Sequence, residues 1–339
     1  MPLLPYLHRV AERQDLSSAE ALEAMHSILT GEATAPQIAG FLVALRMKGE
    51  TVDELVGFAR AMRRMAVAID PGLNGEPLLD TCGTGGDGLS TFNISTIAAF
   101  VVAGAGVRVA KHGNRSISSQ CGSADLLEAM GVRVPMSPAE SARAIREIGI
   151  GFLFAPAIHT ATKHAHPVRL ELKMRTVFNL LGPLTNPAGA SAQLAGAPSP
   201  HAAKLIAGAL AALGLERGFV VHGSDGLDEI TTTGPTLAFE IDHGEVRERT
   251  LYPADFGVAV ARPQDLQGGD SEKNHAIARS ILEGDRGPQR DIVVVNAAAA
   301  LVAAAKAGDF REGVALATAA IDSGAARRKA EDLARFRGH

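Results

Sequence analysis

Tryptophan is absent from this 339-residue chain, cysteine occurs twice and aromatic residues make up only 4%. With so few rings, and with 33 basic residues set against 37 acidic ones, the chain offers neither the stacking platforms nor the cationic surface that nucleic-acid binding needs. Its two cysteines, Cys82 and Cys121, cannot build a disulfide framework or a four-thiolate zinc site. No basic, then apolar, then small-residue signal opens the chain, so its expected place is a reducing cytoplasm. Long apolar runs are missing too: the uncharged stretches 94–107 and 292–305 are about 14 residues each, short of the roughly 18 to 20 that a bilayer span takes. They read as buried helices or strands, and no membrane partner is expected. What remains is an ordinary globular mixture, 46% hydrophobic and 21% charged, long enough for two domains and a substantial core.

Residues 1–70 read as a small helical domain. Three capping boxes, Ser17 with Glu20, Thr34 with Gln37 and Thr51 with Glu54, each precede apolar residues at helical spacing. Those residues are Leu22, Met25, Ile28 and Leu29, then Ile38, Phe41, Leu42 and Leu45, then Leu55, Phe58, Met62 and Met65. Such faces are core or subunit contact rather than a cofactor box. From Pro71 the pattern turns to short apolar runs alternating with glycine turns and helices, the mark of a parallel sheet covered on both faces. Strands are predicted at 78–81, 107–110, 151–155, 193–195 and 219–222, and helix starts near Asn93, Ser123, Ser137, Pro167, Pro200, Glu272 and Asp291. The fold class is therefore α/β, a small N-terminal helical domain plus a larger α/β domain with a mainly parallel central sheet. The larger domain is assigned 71–165 and 187–339, and a long helix over about 166–186 is expected to pack back and complete the smaller one.

Gly83-Thr84-Gly85-Gly86-Asp87-Gly88 follows an apolar strand and precedes a helix, so its backbone amides are placed to approach an oxyanion. A dinucleotide reading would need an acidic residue about 20 positions on, but the next strand runs instead into Lys111-His112, and no Walker sequence is present. Asn93-Ile94-Ser95-Thr96 supplies three short polar side chains where they cap the helix or hold a ligand oxygen. Lys111-His112-Gly113-Asn114-Arg115-Ser116-Ile117-Ser118-Ser119 lies at a predicted strand end, where open α/β sheets bind ligands, and Gly122-Ser123-Ala124-Asp125 opens a second anion-binding helix nearby. Asp225-Gly226-Leu227-Asp228-Glu229 places adjacent carboxylates on a loop after another strand. Beside two phosphate cradles, such a pair suits Mg2+ held through a polyphosphate. His159, His164 and His166 lack the spacing of a zinc site, and neither cysteine is set beside the His and acid partners of a nucleophile.

Together with Arg175-Thr176-Val177-Phe178-Asn179-Leu180-Leu181-Gly182-Pro183-Leu184-Thr185-Asn186-Pro187, these stretches resemble the anthranilate phosphoribosyltransferases of tryptophan biosynthesis, in order and over most of 79–235. The resemblance implies a homodimer joined through the helical domain, with phosphoribosyl pyrophosphate and Mg2+ bound between the two domains. By motif, the phosphoribosyl donor would be met by Gly83, Gly86, Asp87, Thr91, Asn93, Ile94, Ser95 and Thr96, by the stretch from Lys111 to Ser119, and by Ser123. Anthranilate would be met by Gly83, Asn114 and Arg169, and Mg2+ by Ser95, Asp228 and Glu229. No residue is assigned as a general base, because an aromatic amine is already a nucleophile. Two alternatives stay open on the residues. One is a pyrimidine nucleoside phosphorylase, which resembles the family over Lys111 to Asp125 but has no need of the Asp228-Glu229 pair; the other is a non-catalytic paralogue that binds nucleic acid.

Overall fold

The computed structural model describes residues 2–73, 75–85, 89–116 and 120–337; of the expected site residues, Gly86, Asp87, Ile117, Ser118 and Ser119 lie outside them. Helices α1 (Leu4–Ala11), α2 (Ser18–Leu29), α3 (Ala35–Lys48) and α4 (Val52–Met65) form the small N-terminal domain. The Ser17 and Thr51 hydroxyls accept the amides of Glu20 and Glu54, whose carboxylates reach back to the Ser17 and Thr51 amides. Both helix starts are thereby fixed locally. The predicted apolar faces are buried, apart from Leu22 and Met65, which are half-buried.

Seven strands form one sheet: β1 (Leu78–Gly83), β2 (Arg108–Gly113), β3 (Ile150–Phe154), β4 (Ala192–Gly196), β5 (Arg217–Gly223), β6 (Thr236–Asp242) and β7 (Glu245–Leu251), in the order β3-β2-β1-β4-β5-β6-β7. The first five are parallel, as expected. The chain runs outward from β1 to β3 and then returns to the other side of β1 as β4, so a topological switch point lies between the carboxyl ends of β1 and β4. The antiparallel β6 and β7 were not anticipated. They are joined by His243-Gly244, both at positive φ (47° and 89°), the backbone of a two-residue hairpin turn that follows the strand twist.

The two uncharged stretches become helix α5 (Ile94–Gly104) and the helix Pro288–Ala303, which pack on one another and against β1 and β4. Nearly every residue of each is buried, which is why neither shows a polar face. Two further helices, Phe310–Asp322 and Ala325–Arg335, cover α5, the first capped by Asp309, which accepts the Glu312 amide at 2.8 Å. No helix of the described residues is long and apolar enough to cross a membrane.

The single helix expected over about 166–186 is corrected by the structure. The chain there forms short pieces, Ala155–Ile158, Thr160–His164, His166–Leu172, Phe178–Leu181 and Gly182–Leu184. Lys173 turns into the left-handed region (φ 48°) and its amide closes on the Arg169 carbonyl, ending one piece. Asn179 then accepts the Thr176 amide at 3.0 Å, which starts the next. These pieces pack on α2, α3 and α4, and Arg63 donates to the Leu184 carbonyl at 2.7 Å.

Candidate active site

The loop after β5 crosses the switch point at close quarters. A Cβ built on Gly83 would lie 2.3 Å from Asp228 Oδ2, and one built on Gly196 would lie 1.5 Å from the Asp228 carbonyl oxygen. A side chain at Gly196 would displace the loop backbone, and one at Gly83 would displace the Asp228 carboxylate, so the approach of the loop depends on the first glycine and the seat of the carboxylate on the second. Asp228 Oδ2 accepts the Gly85 amide at 2.8 Å and Glu229 Oε1 accepts the Ser95 amide, in the first turn of α5, at 3.1 Å. The two carboxylates thus tie the glycine loop and a helix N-terminus to the β5 loop. Asp225 shapes that loop by accepting the Leu227 amide (3.1 Å) and the hydroxyls of Thr231 (2.7 Å) and Thr233 (2.6 Å).

Asp228 and Glu229 are each only 8% exposed. Burial, and after it the adjacent Asp228 charge, pushes Glu229 up to about 8. Lys111 opposes this from within the protein: it is buried, its Nζ donates to the Thr81 carbonyl at 2.6 Å, and burial holds it below the usual lysine value against the pull of Asp80. Asp80 lies wholly inside, accepting the His112 amide at 3.0 Å and Asn186 Nδ2 at 2.8 Å, and burial raises its carboxyl above the ordinary range.

The donor set fits a hard divalent cation. Asp228, Glu229 and Ser95 offer oxygen only, and Mg2+ is ordinarily held by one or two carboxylates with water and phosphate completing its shell. A cation against Glu229 would also reverse the upward push on its carboxyl. Among the described residues no group of three His, Cys, Asp or Glu side chains makes an all-protein cage.

Gly83, Ser95, Asp228 and Glu229 come together at this edge as expected, but several neighbours turn elsewhere. The Asn93 amide donates to the Cys121 carbonyl and accepts from Asn274, both at 3.0 Å, so it joins two segments of protein. Ile94 is buried in the core, and Thr96, 1% exposed, borders a small cavity with Phe100, Lys111, Leu127 and Phe152. Of the three polar side chains at the start of α5, that of Asn93 thus joins two protein segments and that of Thr96 is buried, while Ser95 meets Glu229 through both its amide and its side chain. Thr91 is half-buried and bridges to Gln267.

Near the end of β2, the His112 ring is buried with Nδ1 3.3 Å from the Gly182 carbonyl and meets His159 edge to face at 5.2 Å. Burial depresses both imidazoles, His112 to about 4 and His159 to about 3. Asn114 is exposed and its Oδ1 accepts the Arg115 amide at 2.7 Å. Arg115 pairs with Asp125 (2.8 Å) and Glu128 (2.6 Å) on the helix Ser123–Ala129. Ser116 lends its amide to Asp125 at 3.4 Å, and half-buried Ser123 stands beside Gly113. Arg169 is half-buried, its guanidinium 5.0 Å over the Phe178 ring.

The supports of the site went unread. Asn186 donates to both Asp80 and the Ala110 carbonyl (2.9 Å), Gln193 donates to the Pro183 carbonyl (2.8 Å), and Arg175 reaches the Gly85 carbonyl at 2.5 Å. A glutamine inside the apolar run 192–196 was the available signal for one of them.

Known proteins share this architecture. The glycosyl transferase family, helical bundle domain, matches residues 4–66, and the glycosyl transferase family, a/b domain, matches 75–327. An anthranilate phosphoribosyltransferase of Solibacter usitatus is 72% identical over 336 residues, covering 99% of each chain. Among solved structures, the anthranilate phosphoribosyltransferase of Thermus thermophilus superposes with a TM-score of 0.92 at 44% identity, over 99% of both chains. That of Saccharomyces cerevisiae, in complex with PRPP and Mg, gives 0.89 at 28% identity, over 98% of this chain and 96% of its own. With this identity along its whole length, and with both the helical and the α/β parts matched, the chain belongs to the anthranilate phosphoribosyltransferase family of glycosyl transferases.

Proposed function

We propose that this chain transfers the 5-phosphoribosyl group of phosphoribosyl pyrophosphate to the amine of anthranilate, releasing pyrophosphate, as a step of tryptophan biosynthesis in the cytoplasm. The observation that carries the reading is the buried Asp228-Glu229 pair, seated over the β1–β4 switch point and bonded to the Gly85 and Ser95 amides. Breaking the bond from C1 to pyrophosphate builds positive charge on the sugar and negative charge on the leaving group, so the electrostatics at this edge govern the barrier. Asp228, Glu229 and Ser95 would hold Mg2+, which when bound neutralises charge on the departing pyrophosphate. Gly83, Thr91, Ser95, Lys111, Ser116 and Ser123 are assigned to the donor. Arg169 is assigned to the anthranilate carboxylate, with Asn114 and the Gly83 backbone beside it; the protein orients the amine and supplies no general base. Purified protein should consume anthranilate, followed by loss of its fluorescence, only when phosphoribosyl pyrophosphate and a divalent ion are both present. Phosphorolysis of thymidine or uridine without anthranilate turnover would move the assignment to the phosphorylases.

A homodimer through the helical domain is part of the proposal. Met47 on α3 is 73% exposed and Leu170, on a helix packed against α3, is 59% exposed, which leaves apolar surface for a second copy to cover. Light scattering should give twice the monomer mass for the wild type and a lower mass for Met47→Glu.

A further inference from the structure

We infer that Asn296, on the helix Pro288–Ala303, is a positioning residue for the Asp228-Glu229 pair. Its neighbours on that helix, Ile292 to Val295 and Ala297 to Ala300, are apolar and buried, and Asn296 itself has no exposed surface. A primary amide in such a place costs stability unless its hydrogen bonds are made. Asn296 makes three. Its Oδ1 accepts the Ile230 amide at 3.0 Å, its Nδ2 donates to the Ile230 carbonyl at 2.9 Å, and the same nitrogen donates to the Ile292 carbonyl, one turn back, at 2.9 Å.

Ile230 directly follows Glu229. By accepting from its N–H and donating to its C=O, the side chain does for this residue what a neighbouring strand does in a sheet. The remaining anchors lie on either side: Asp225 holds Leu227, Gly85 holds Asp228, and the Thr231 amide donates to Thr236 Oγ1 at 3.0 Å. Asn296 therefore clamps the backbone next to Glu229 to the helix layer, and the bond between the clamped residue and the carboxylate-bearing one is a single planar peptide. Small shifts there pass directly to a carboxylate whose hold on a cation depends on placement within about half an ångström.

This inference rests on the reading of Asp228 and Glu229 as the Mg2+ ligands. It is tested with Asn296→Leu, which keeps the branched outline and removes every side-chain hydrogen bond, and with Asn296→Asp, which keeps the acceptor for the Ile230 amide and replaces the donating nitrogen with an oxygen. Each is compared with wild type and with Asp228→Asn/Glu229→Gln. Mn2+ is the probe, its binding in the presence of phosphoribosyl pyrophosphate followed by electron paramagnetic resonance, with thermal melts, the Mg2+ concentration for half-maximal rate and the anthranilate KM measured alongside. Both Asn296 variants should bind Mn2+ about tenfold more weakly and need about tenfold more Mg2+, with an unchanged anthranilate KM. Lower melting temperature with wild-type Mn2+ affinity would overturn the inference, leaving Asn296 a purely structural residue; if Asn296→Leu does not fold, Asn296→Asp decides between the same outcomes. If the carboxylate double variant binds Mn2+ as wild type does, the metal reading falls and this inference with it. If only the carboxylate variant weakens, the inference alone falls.

Discussion

The β1–β4 edge and the segment 155–184 face the same task with different materials. At the edge, each carboxylate of the buried pair is bonded to a backbone amide, and the backbone itself is seated on strand ends with no room for a side chain. Over 155–184 the chain is a series of short helical pieces, Arg169 is half-buried against a single ring, and Arg175 reaches across to the Gly85 carbonyl. The difference follows the chemistry proposed for each. Stabilising a leaving group demands charges whose positions are set before the bond breaks, because reorganising them during the reaction would raise the barrier. Orienting a ready nucleophile demands placement alone, which packing of short elements supplies.

The sharpest way to break this contrast is to remove charge at the edge while keeping shape. Asp228→Asn/Glu229→Gln should lower kcat by roughly two to three orders of magnitude, since several kcal/mol of leaving-group stabilisation are at stake. Thermal melts should show a folded protein, because burial, and after it the Asp228 charge, already disfavours an ionised Glu229, so neutral side chains of the same shape cost the fold little. Steady-state rates over a Mg2+ titration check it: curves matching the wild type would show that the pair does not hold the catalytic metal. On the other side, Arg169→Ala should raise the anthranilate KM by about one to two orders of magnitude, from losing a charge-assisted pair worth roughly 1.5 to 3 kcal/mol, with little change in the KM for phosphoribosyl pyrophosphate. Equal weakening of both substrates would assign Arg169 to the donor.

The two regions also differed in how far they could be read from sequence. The capping boxes, the five parallel strands and the Asp228-Glu229 loop were legible because each rests on a local signal: a box four residues long, an apolar run between turns, a pair of acids after a strand. What escaped was either non-local or written in an unusual residue. Gly196 matters only because a loop some thirty residues on lies against it, and Asn186 only because Asp80 lies across the sheet. The β6–β7 hairpin turns on His243-Gly244 where asparagine or aspartate would have signalled it. Over about 166–186 one long helix was expected, and the left-handed turn at Lys173, a residue with no preference for it, broke that pattern. The carboxylate partners of Arg115, 10 and 13 residues on, were not legible from its place in the loop.

A pH titration sharpens the comparison at the point where the regions meet, the edge-to-face pair of His112 and His159. Burial sets their folded values at about 4 and about 3, below the ordinary 6.5. Both imidazoles therefore contribute stability that is complete above pH 6.5 and is lost as pH falls toward their folded values, because the unfolded chain takes up the protons first. The slope in that window is about 1.4 kcal/mol per pH unit for each histidine. Denaturant melts from pH 7 to pH 4 should show this loss, and His159→Phe, which keeps a ring against His112, should reduce the slope while leaving stability at pH 8 little changed. An unchanged slope would mean that His159 is open to protons in the folded state.

The smallest effect is expected at Phe178, and it asks whether packing alone orients the nucleophile side. The Arg169 guanidinium lies 5.0 Å from the centre of this ring, and burial alone holds the arginine below its usual value, with no carboxylate among the described residues to compensate. A cation over a ring at a half-exposed site is worth roughly 0.5 to 1 kcal/mol. Phe178→Leu, which keeps an apolar side chain but removes the π face, should therefore raise the anthranilate KM about two- to fivefold, with kcat and the KM for the phosphoribosyl donor unchanged. Steady-state kinetics with each substrate varied in turn, beside a melt, separate the outcomes. No change in KM would mean that the ring only fills space between the short helices. A rise as large as that of Arg169→Ala would mean that Phe178 sets the fold of the segment, and that the nucleophile side is as preorganised as the edge it faces.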